Sequence, residues 1–186
     1  MLRRKVNMSE IIFEISLPLD SDGFLRRECP LCFRQFKVEF TEEERKTVVQ
    51  KEIENYLLEN DLIQKSEDPN ETDEIEYWCP YCGQSAKSNS WWSQEQLEYV
   101  QIFPYNYMAE TINKQMKEWK RQFSRVGKGL ISVRIDTKEM PYKEPWISPE
   151  TDDMTVVNLP CCKFKIKLDD DWREPYYCFK CGFPYI

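Results

Sequence analysis

A chain of 186 residues with 41% hydrophobic and 32% charged side chains is too apolar to be a disordered tail and long enough for one modest core or two small ones. It has no apolar run approaching the roughly 18 residues of a transmembrane helix, and its net charge of -7 opposes nucleic-acid binding by the surface as a whole. Eight cysteines stand beside no histidine at all, which removes the commonest general base, the usual member of a catalytic triad and the facial triad of non-haem iron enzymes.

The first residues, Met1 to Asn7, are basic but lead into no apolar signal core, so a cytoplasmic chain with reduced thiols is expected. Glu10 to Leu17 alternates Ile11, Phe13, Ile15 and Leu17 onto one face and predicts a half-buried strand. Asp20-Ser-Asp-Gly23 signals a turn, Phe24 to Glu28 a second strand, and Phe33 to Phe40 a third, with Cys29-Pro-Leu-Cys32 between the last two. Strand, two-cysteine knuckle and strand make half of a zinc ribbon. The next knuckle, Cys79-Pro-Tyr-Cys82-Gly83, is separated from Cys32 by 46 residues, so a folded element must be inserted. Thr41 followed by Glu42, Glu43 and Glu44 reads as a helix N-cap with acid in the first turn. Val49, Ile53, Tyr56 and Leu57 continue that helix to about Leu62, and the acidic stretch Ser66 to Glu76 reads as a connecting loop.

After the second knuckle, Ser93 and Gln96 have the spacing of a capping box. The helix they start should stop or bend before Pro104, with a longer one resuming near Tyr105 and ending about Val126, before Gly127 and Gly129. Met108, Ile112, Met116, Trp119, Phe123 and Val126 recur at helical spacing as an apolar stripe, and Lys114, Lys117, Arg121, Arg125 and Lys128 fall opposite. Residues 113 to 128 carry six basic residues against one acid within an otherwise acidic chain. That face is either simply solvated or a docking surface for an acidic protein or a phosphate backbone. No aromatic residue is interleaved with it, which weakens the single-stranded nucleic acid version.

Leu130 to Asp136 alternates as a further strand, and Lys138 to Asp153, with Pro141, Pro145 and Pro149, is an extended linker expected to pack through Tyr142 and Trp146. Met154 to Leu159 is a short strand leading to Pro160-Cys161-Cys162. Phe164, Ile166 and Leu168 alternate in the next strand, Asp169 to Trp172 turns, and Tyr176-Tyr177 leads into Cys178-Phe-Lys-Cys181-Gly182.

Cysteines two apart in a tight turn bring two thiolates onto one ion, and two such pairs close a tetrahedral structural zinc site. Two zinc ions per chain are therefore expected, one at Cys29, Cys32, Cys79 and Cys82, the other at Cys161, Cys162, Cys178 and Cys181. Gly83 and Gly182 follow their knuckles where the turn can need a positive φ. The adjacent pair Cys161-Cys162 breaks the pattern and leaves three states open: both bind, one binds in a three-thiolate site, or one is a free thiol.

The segments Asp22-Gly-Phe-Leu-Arg-Arg-Glu-Cys-Pro-Leu-Cys32, Trp78-Cys-Pro-Tyr-Cys-Gly83 and Pro160-Cys-Cys through Asp171-Trp172 to Cys178-Phe-Lys-Cys-Gly182 resemble a group of uncharacterised bacterial zinc-ribbon proteins. The resemblance implies fold and metal and carries no activity. In similar sequences the adjacent pair often reads Cys-His, and the resemblance then implies that Cys162 takes the histidine's place in a site of four thiolates.

An α+β chain follows, with two zinc-ribbon-like β units and inserted and connecting helices. Residues 9–92 form the first ribbon with its helical insertion at about 41–65, residues 93–128 the connecting amphipathic helices, and residues 129–186 the second ribbon. The expected function is a non-catalytic zinc-binding adaptor that docks on a protein partner in a bacterial multi-component system through Lys114, Lys117, Arg121, Arg125 and Lys128. The alternatives are a ribbon that binds nucleic acid with that same basic face and, with less support, a zinc enzyme. Four thiolates leave no open coordination position for the last of these, and no nucleophile with an adjacent base and no glycine-rich phosphate loop is present.

Overall fold

The computed structural model describes residue 13 and residues 15–63, 75–126 and 138–186, with residues 123–126 as backbone only. Alternation of apolar side chains draws two hairpins together into one sheet. The first hairpin is β1 (Leu25–Glu28) with β2 (Gln35–Val38), and the second is β5 (Met154–Leu159) with β6 (Phe164–Asp169). Their inner strands pair antiparallel, Lys37 opposite Lys167 and Val38 opposite Ile166, so the strand order is β1-β2-β6-β5. Two short hairpins complete the β structure: β3 (Glu76–Trp78) with β4 (Ser85–Lys87), and β7 (Tyr176–Tyr177) with β8 (Pro184–Tyr185). The expected mixture of helices and antiparallel β units is present, and the two Cys-rich β units share a sheet.

Helix α1 (Glu42–Glu59) fills the insertion. Thr41 caps it: its hydroxyl accepts from the Glu44 amide at 3.2 Å, and the Glu44 carboxylate accepts from the Thr41 amide at 2.8 Å. Val48, Val49, Ile53 and Leu57 bury one face, and the helix stops three residues short of the expected Leu62.

Helix α2 (Gln94–Val126) is continuous through Pro104, so the two expected helices are one. A proline in a helix forfeits the bond to the carbonyl four residues earlier. That residue here is Val100, and both it and Pro104 are buried, so packing holds the turn that hydrogen bonding does not. At the start of α2, Ser93 and Gln96 form the expected capping box, each accepting the other's amide at 3.3 Å.

The long segment after α2 docks differently from expectation. Tyr142 and Trp146 are exposed. Two asparagines one heptad apart on α2 hold the segment instead, each side-chain amide pairing with both backbone groups of one residue: Asn106 with Lys143, and Asn113 with Met140, at 2.7–2.9 Å. A bidentate amide satisfies backbone groups that an extended chain has no neighbouring strand to satisfy.

Of the expected strand Glu10–Leu17, residues 10–12 and 14 lie outside the described residues; Ile15 to Leu17 pairs with no strand among the described residues, although Leu17 reaches the core. Leu130 to Asp136 and most of the acidic stretch 66–76 also lie outside the described residues.

Aromatic rings fill the centre. Phe179, from the last knuckle, is fully buried and meets Tyr77 at 4.4 Å, Phe36 and Trp91 at 5.5 Å, Phe40 at 6.1 Å and Phe164 at 6.2 Å between ring centroids. Such pairs add about 0.5–1.5 kcal/mol each beyond area burial, so a side chain from the second Cys-rich unit anchors the core of the first. Tyr81 of the second knuckle also joins the two halves: its hydroxyl donates to the Gln35 carbonyl on β2 and accepts from the Asp169 amide at the end of β6, both at 3.0 Å.

Candidate metal centres

Each metal centre is built from one long and one short hairpin. The β1–β2 turn carries Cys29 and Cys32, and the β3–β4 turn carries Cys79 and Cys82. Cys29 Sγ lies 3.9 Å from Cys82 Sγ, and Cys32 Sγ 3.6 Å from Cys79 Sγ. A tetrahedron with zinc–sulfur bonds of about 2.3 Å has edges of about 3.8 Å, so the sulfur positions fit a single zinc ion. The amides of Leu31 and Cys32 point at Cys29 Sγ from 3.4 Å. Burial alone would raise the Cys29 thiol, but these amides and the neighbouring sulfurs hold it below its ordinary range. Burial pushes Cys79 far up. Four thiols so placed cannot all ionise without a cation among them, and zinc supplies it.

The second centre takes Cys161 and Cys162 from the β5–β6 turn and Cys178 and Cys181 from the β7–β8 turn. All four sulfurs of each group lie within 4.8 Å of one another, with Cys161 and Cys181 3.6 Å apart. The chain thus holds two four-cysteine groups that fit two zinc ions, and both members of the adjacent pair belong to the second. The groups differ in shelter. In the first, Cys29 and Cys79 are buried and the other two half-buried; in the second, Cys161 and Cys181 are exposed.

Register explains how adjacent cysteines reach one ion. In three knuckles the first cysteine's amide closes the turn on the carbonyl five residues on: Cys29 on Arg34, Cys79 on Gln84 and Cys178 on Phe183. In the remaining knuckle the residue paired with its fifth successor, Phe164, is Leu159, buried where the others place a cysteine. Cys162 then matches the second cysteine, and Cys161 supplies a ligand from the third position. Its amide donates to Tyr185 Oη at 3.2 Å, which fixes the departure. All four knuckles end alike, with positive φ at Phe33 (58°), Gly83 (69°), Lys163 (49°) and Gly182 (69°). Glycine was expected at two of these positions; a phenylalanine and a lysine adopt the conformation at the others.

The halves meet reciprocally. The Trp78 amide donates to the Phe179 carbonyl and the Tyr177 amide to the Pro80 carbonyl, each at 2.9 Å. Trp78 packs on Gly182, and Tyr177 packs on Gly83. Together with the Lys37–Lys167 pairing on the inner strands, this is the pattern of an internal two-fold, the same patch used twice. A Cβ at Gly182 would stand 2.7 Å from the Trp78 ring, beside the ligand Cys79, on a backbone with φ of 69°. Gly182→Ala is expected to lower stability by about 1–3 kcal/mol, left-handed strain and overpacking together. Urea unfolding of the zinc-loaded protein measures it; a midpoint shift worth less than about 0.5 kcal/mol would mean the ring moves aside freely.

Lys114 and Lys117 are exposed on α2, where Lys117 meets Glu139 at 3.3 Å. They and Arg121 border a groove of ≈ 860 Å³ between α2 and the 140–142 segment. The Arg125 side chain and Lys128 lie outside the described residues.

Two features were missed from the sequence. One is a buried ionic cluster. Lys37 and Lys167, on neighbouring strands, both reach Asp20 Oδ2, at 3.2 and 2.8 Å, with side chains at most 2% exposed. The other is Arg27, wholly buried without a hydrogen-bond partner among the described residues and stacked 4.7 Å from the Trp92 ring. Burial lowers its pKa to about 9. Strand alternation marks both faces but does not say which carries the long cationic stems.

The sites and their hairpins define a zinc-binding protein with ribbon-like metal centres. No protein-family model, curated protein or solved structure matches the chain. No helix among the described residues is long and apolar enough to cross a membrane.

Proposed function

We propose that the chain is a non-catalytic adaptor in which zinc holds small hairpins rigid while α2 docks on a protein partner in a bacterial multi-component system. Closure of both tetrahedra by thiolates supports the non-catalytic reading, because a catalytic zinc keeps one position for water or substrate. The observation that carries the docking reading is the outer half of α2. Ile112 and Trp119, on the apolar stripe, are 41% and 54% exposed, and no residue of α2 beyond Ala109 is buried among those with described side chains. An amphipathic helix with an uncovered apolar stripe is the element that seats in a partner's groove. Lys114, Lys117 and Arg121, on the opposite face of the helix, favour an acidic wall on that partner reaching around it.

The test reverses Lys114, Lys117 and Arg121 to glutamate and places a photo-cross-linker at position 119 of the zinc-loaded protein in native extract. Unreversed protein is expected to cross-link to a discrete acidic protein, and the reversed variant to lose that adduct with an unchanged melting midpoint, since the three side chains are exposed. Retention of the adduct would return the face to a merely solvated role. Submicromolar binding to duplex DNA, abolished by the reversal and falling with salt by a log-log slope of about -0.9 per phosphate contacted, would replace the protein partner with nucleic acid.

A further inference from the structure

The internal two-fold exposes an asymmetry at the ends of the four-stranded sheet. On the β1 edge, the Glu28 amide donates to the Trp91 carbonyl at 3.1 Å, and the Arg26 carbonyl accepts from Gln96 Nε2 at 2.9 Å. The segment entering α2 therefore occupies that edge. In register, Arg26 faces Lys37 and Glu28 faces Gln35, just as Val156 faces Lys167 and Asn158 faces Lys165 on the other side. The outward backbone groups of β5 are thus those of Val156 and Asn158, and no described residue bonds to them. Proteins usually protect such an edge with lysine, proline, a bulge or a short strand. Met154-Thr-Val-Val-Asn-Leu159 has six residues, no charge, no proline and regular pairing throughout, and Val156 is 40% exposed.

A groove of ≈ 540 Å³ runs beside this edge, floored by Thr155 and Val157 and walled by Trp172, Tyr176 and Tyr185. Its rim holds Asp169, Asp170 and Glu174 against Arg173, and Arg173 is tied to the carbonyls of Asp170 and Trp172 at 2.9 Å. The groove is therefore aromatic with an acidic rim.

We infer that the β5 edge is a β-strand-addition site for an extended segment of a partner protein, basic and apolar at alternate positions. Main-chain bonds to Val156 and Asn158 supply sequence-independent affinity. Alternate side chains enter the groove, where rings take the apolar stems and Glu174 meets the cation. The inference rests on the adaptor reading but uses a surface other than α2, so the two can fail separately.

The test is selection of random linear peptides of roughly eight residues, a length that spans a strand, on the zinc-loaded full chain. The expected consensus alternates Lys or Arg with β-branched or aromatic residues. Val156→Pro should weaken the selected peptides about tenfold, the loss of one well-placed bond and its neighbours, while leaving the fold intact, because proline is tolerated where an edge N–H faces outward. Glu174→Lys should weaken them similarly, and Lys117→Glu on α2 should leave them unchanged. The inference is overturned if no peptide is enriched, if the consensus is acidic, or if Val156→Pro binds as well as the parent. It is equally overturned if the chain sediments as a dimer that Val156→Pro dissociates, since a second copy would then own the edge.

Discussion

Cys79→Ser is expected to leave the chain without a cooperative unfolding transition, and elemental analysis should find two zinc ions in the parent against one or none in the variant. Cys79 is fully buried, and its turn touches both halves through the Pro80 carbonyl and Trp78. Structural zinc contributes about 10–16 kcal/mol to the folding of zinc-finger peptides, whereas a whole domain is stable by only about 5–15 kcal/mol. Loss of one ion is therefore comparable with everything the fold has to lose. The exposed ligand Cys161 provides the contrast. Cys161→Ser should weaken the second site yet leave a folded chain that still holds the first ion, because Leu159 keeps that knuckle's buried position filled. One zinc ion in the parent would remove the second centre from the account; a Cys79→Ser protein that melts like its parent would show that metal does not hold the fold.

The metal ligands were legible in the sequence because thiolate spacing is a local property: two cysteines in one turn converge whatever surrounds the turn. Thr41 and Ser93 were legible for the same reason, since a capping box lies within four residues. Continuity of α2 through Pro104 was not, because the packing of Val100 and Pro104 against the rest of the chain decides it. Nor was the relation between the halves. Its signal was present but offset: Leu159-Pro-Cys-Cys162-Lys163 follows the turn of Cys29-Pro-Leu-Cys32-Phe33, with the first thiol replaced by a leucine and a new one two places on. Aligning the prolines, and not the cysteines, reveals the repeat. The joining of the hairpins through β2 and β6 is a long-range pairing, and the alternation of either strand alone cannot announce its neighbour.

Replacing Asp20 is expected to have the second largest effect. Lys37 and Lys167 stand directly opposite each other on β2 and β6, a like-charge pair that destabilises a sheet even where water screens it. Here both side chains are withdrawn from water, and Asp20 stands between them. Its Oδ2 takes both ammonium groups, and its Oδ1 accepts the amides of Asp22 and Phe24 at 3.1 and 2.9 Å. Burial alone would raise its pKa, but the bonds from Lys167, the Phe24 amide and Lys37 hold it below the ordinary range, so it remains charged at neutral pH. On the flanks, Asp22 stands 2.6 Å from Lys167, and the exposed Asp153 at 2.9 Å and the buried Glu150 at 3.3 Å meet Lys37; none of the three is paired with both cations. Asp20→Ala removes the one carboxylate that both cations share, leaves each only its flanking acids, and should cost up to about 3–5 kcal/mol, the range for breaking a buried ion pair from one side. Asp20→Leu combined with Lys37→Met and Lys167→Met should recover most of that loss, because well-packed apolar groups of similar volume commonly replace a buried ionic set without penalty. Equilibrium denaturation of the three zinc-loaded proteins decides the matter: a single variant within about 1 kcal/mol of the parent would show that the flanking acids suffice, and a triple variant as unstable as the single would show that the charges themselves specify how the two hairpins join.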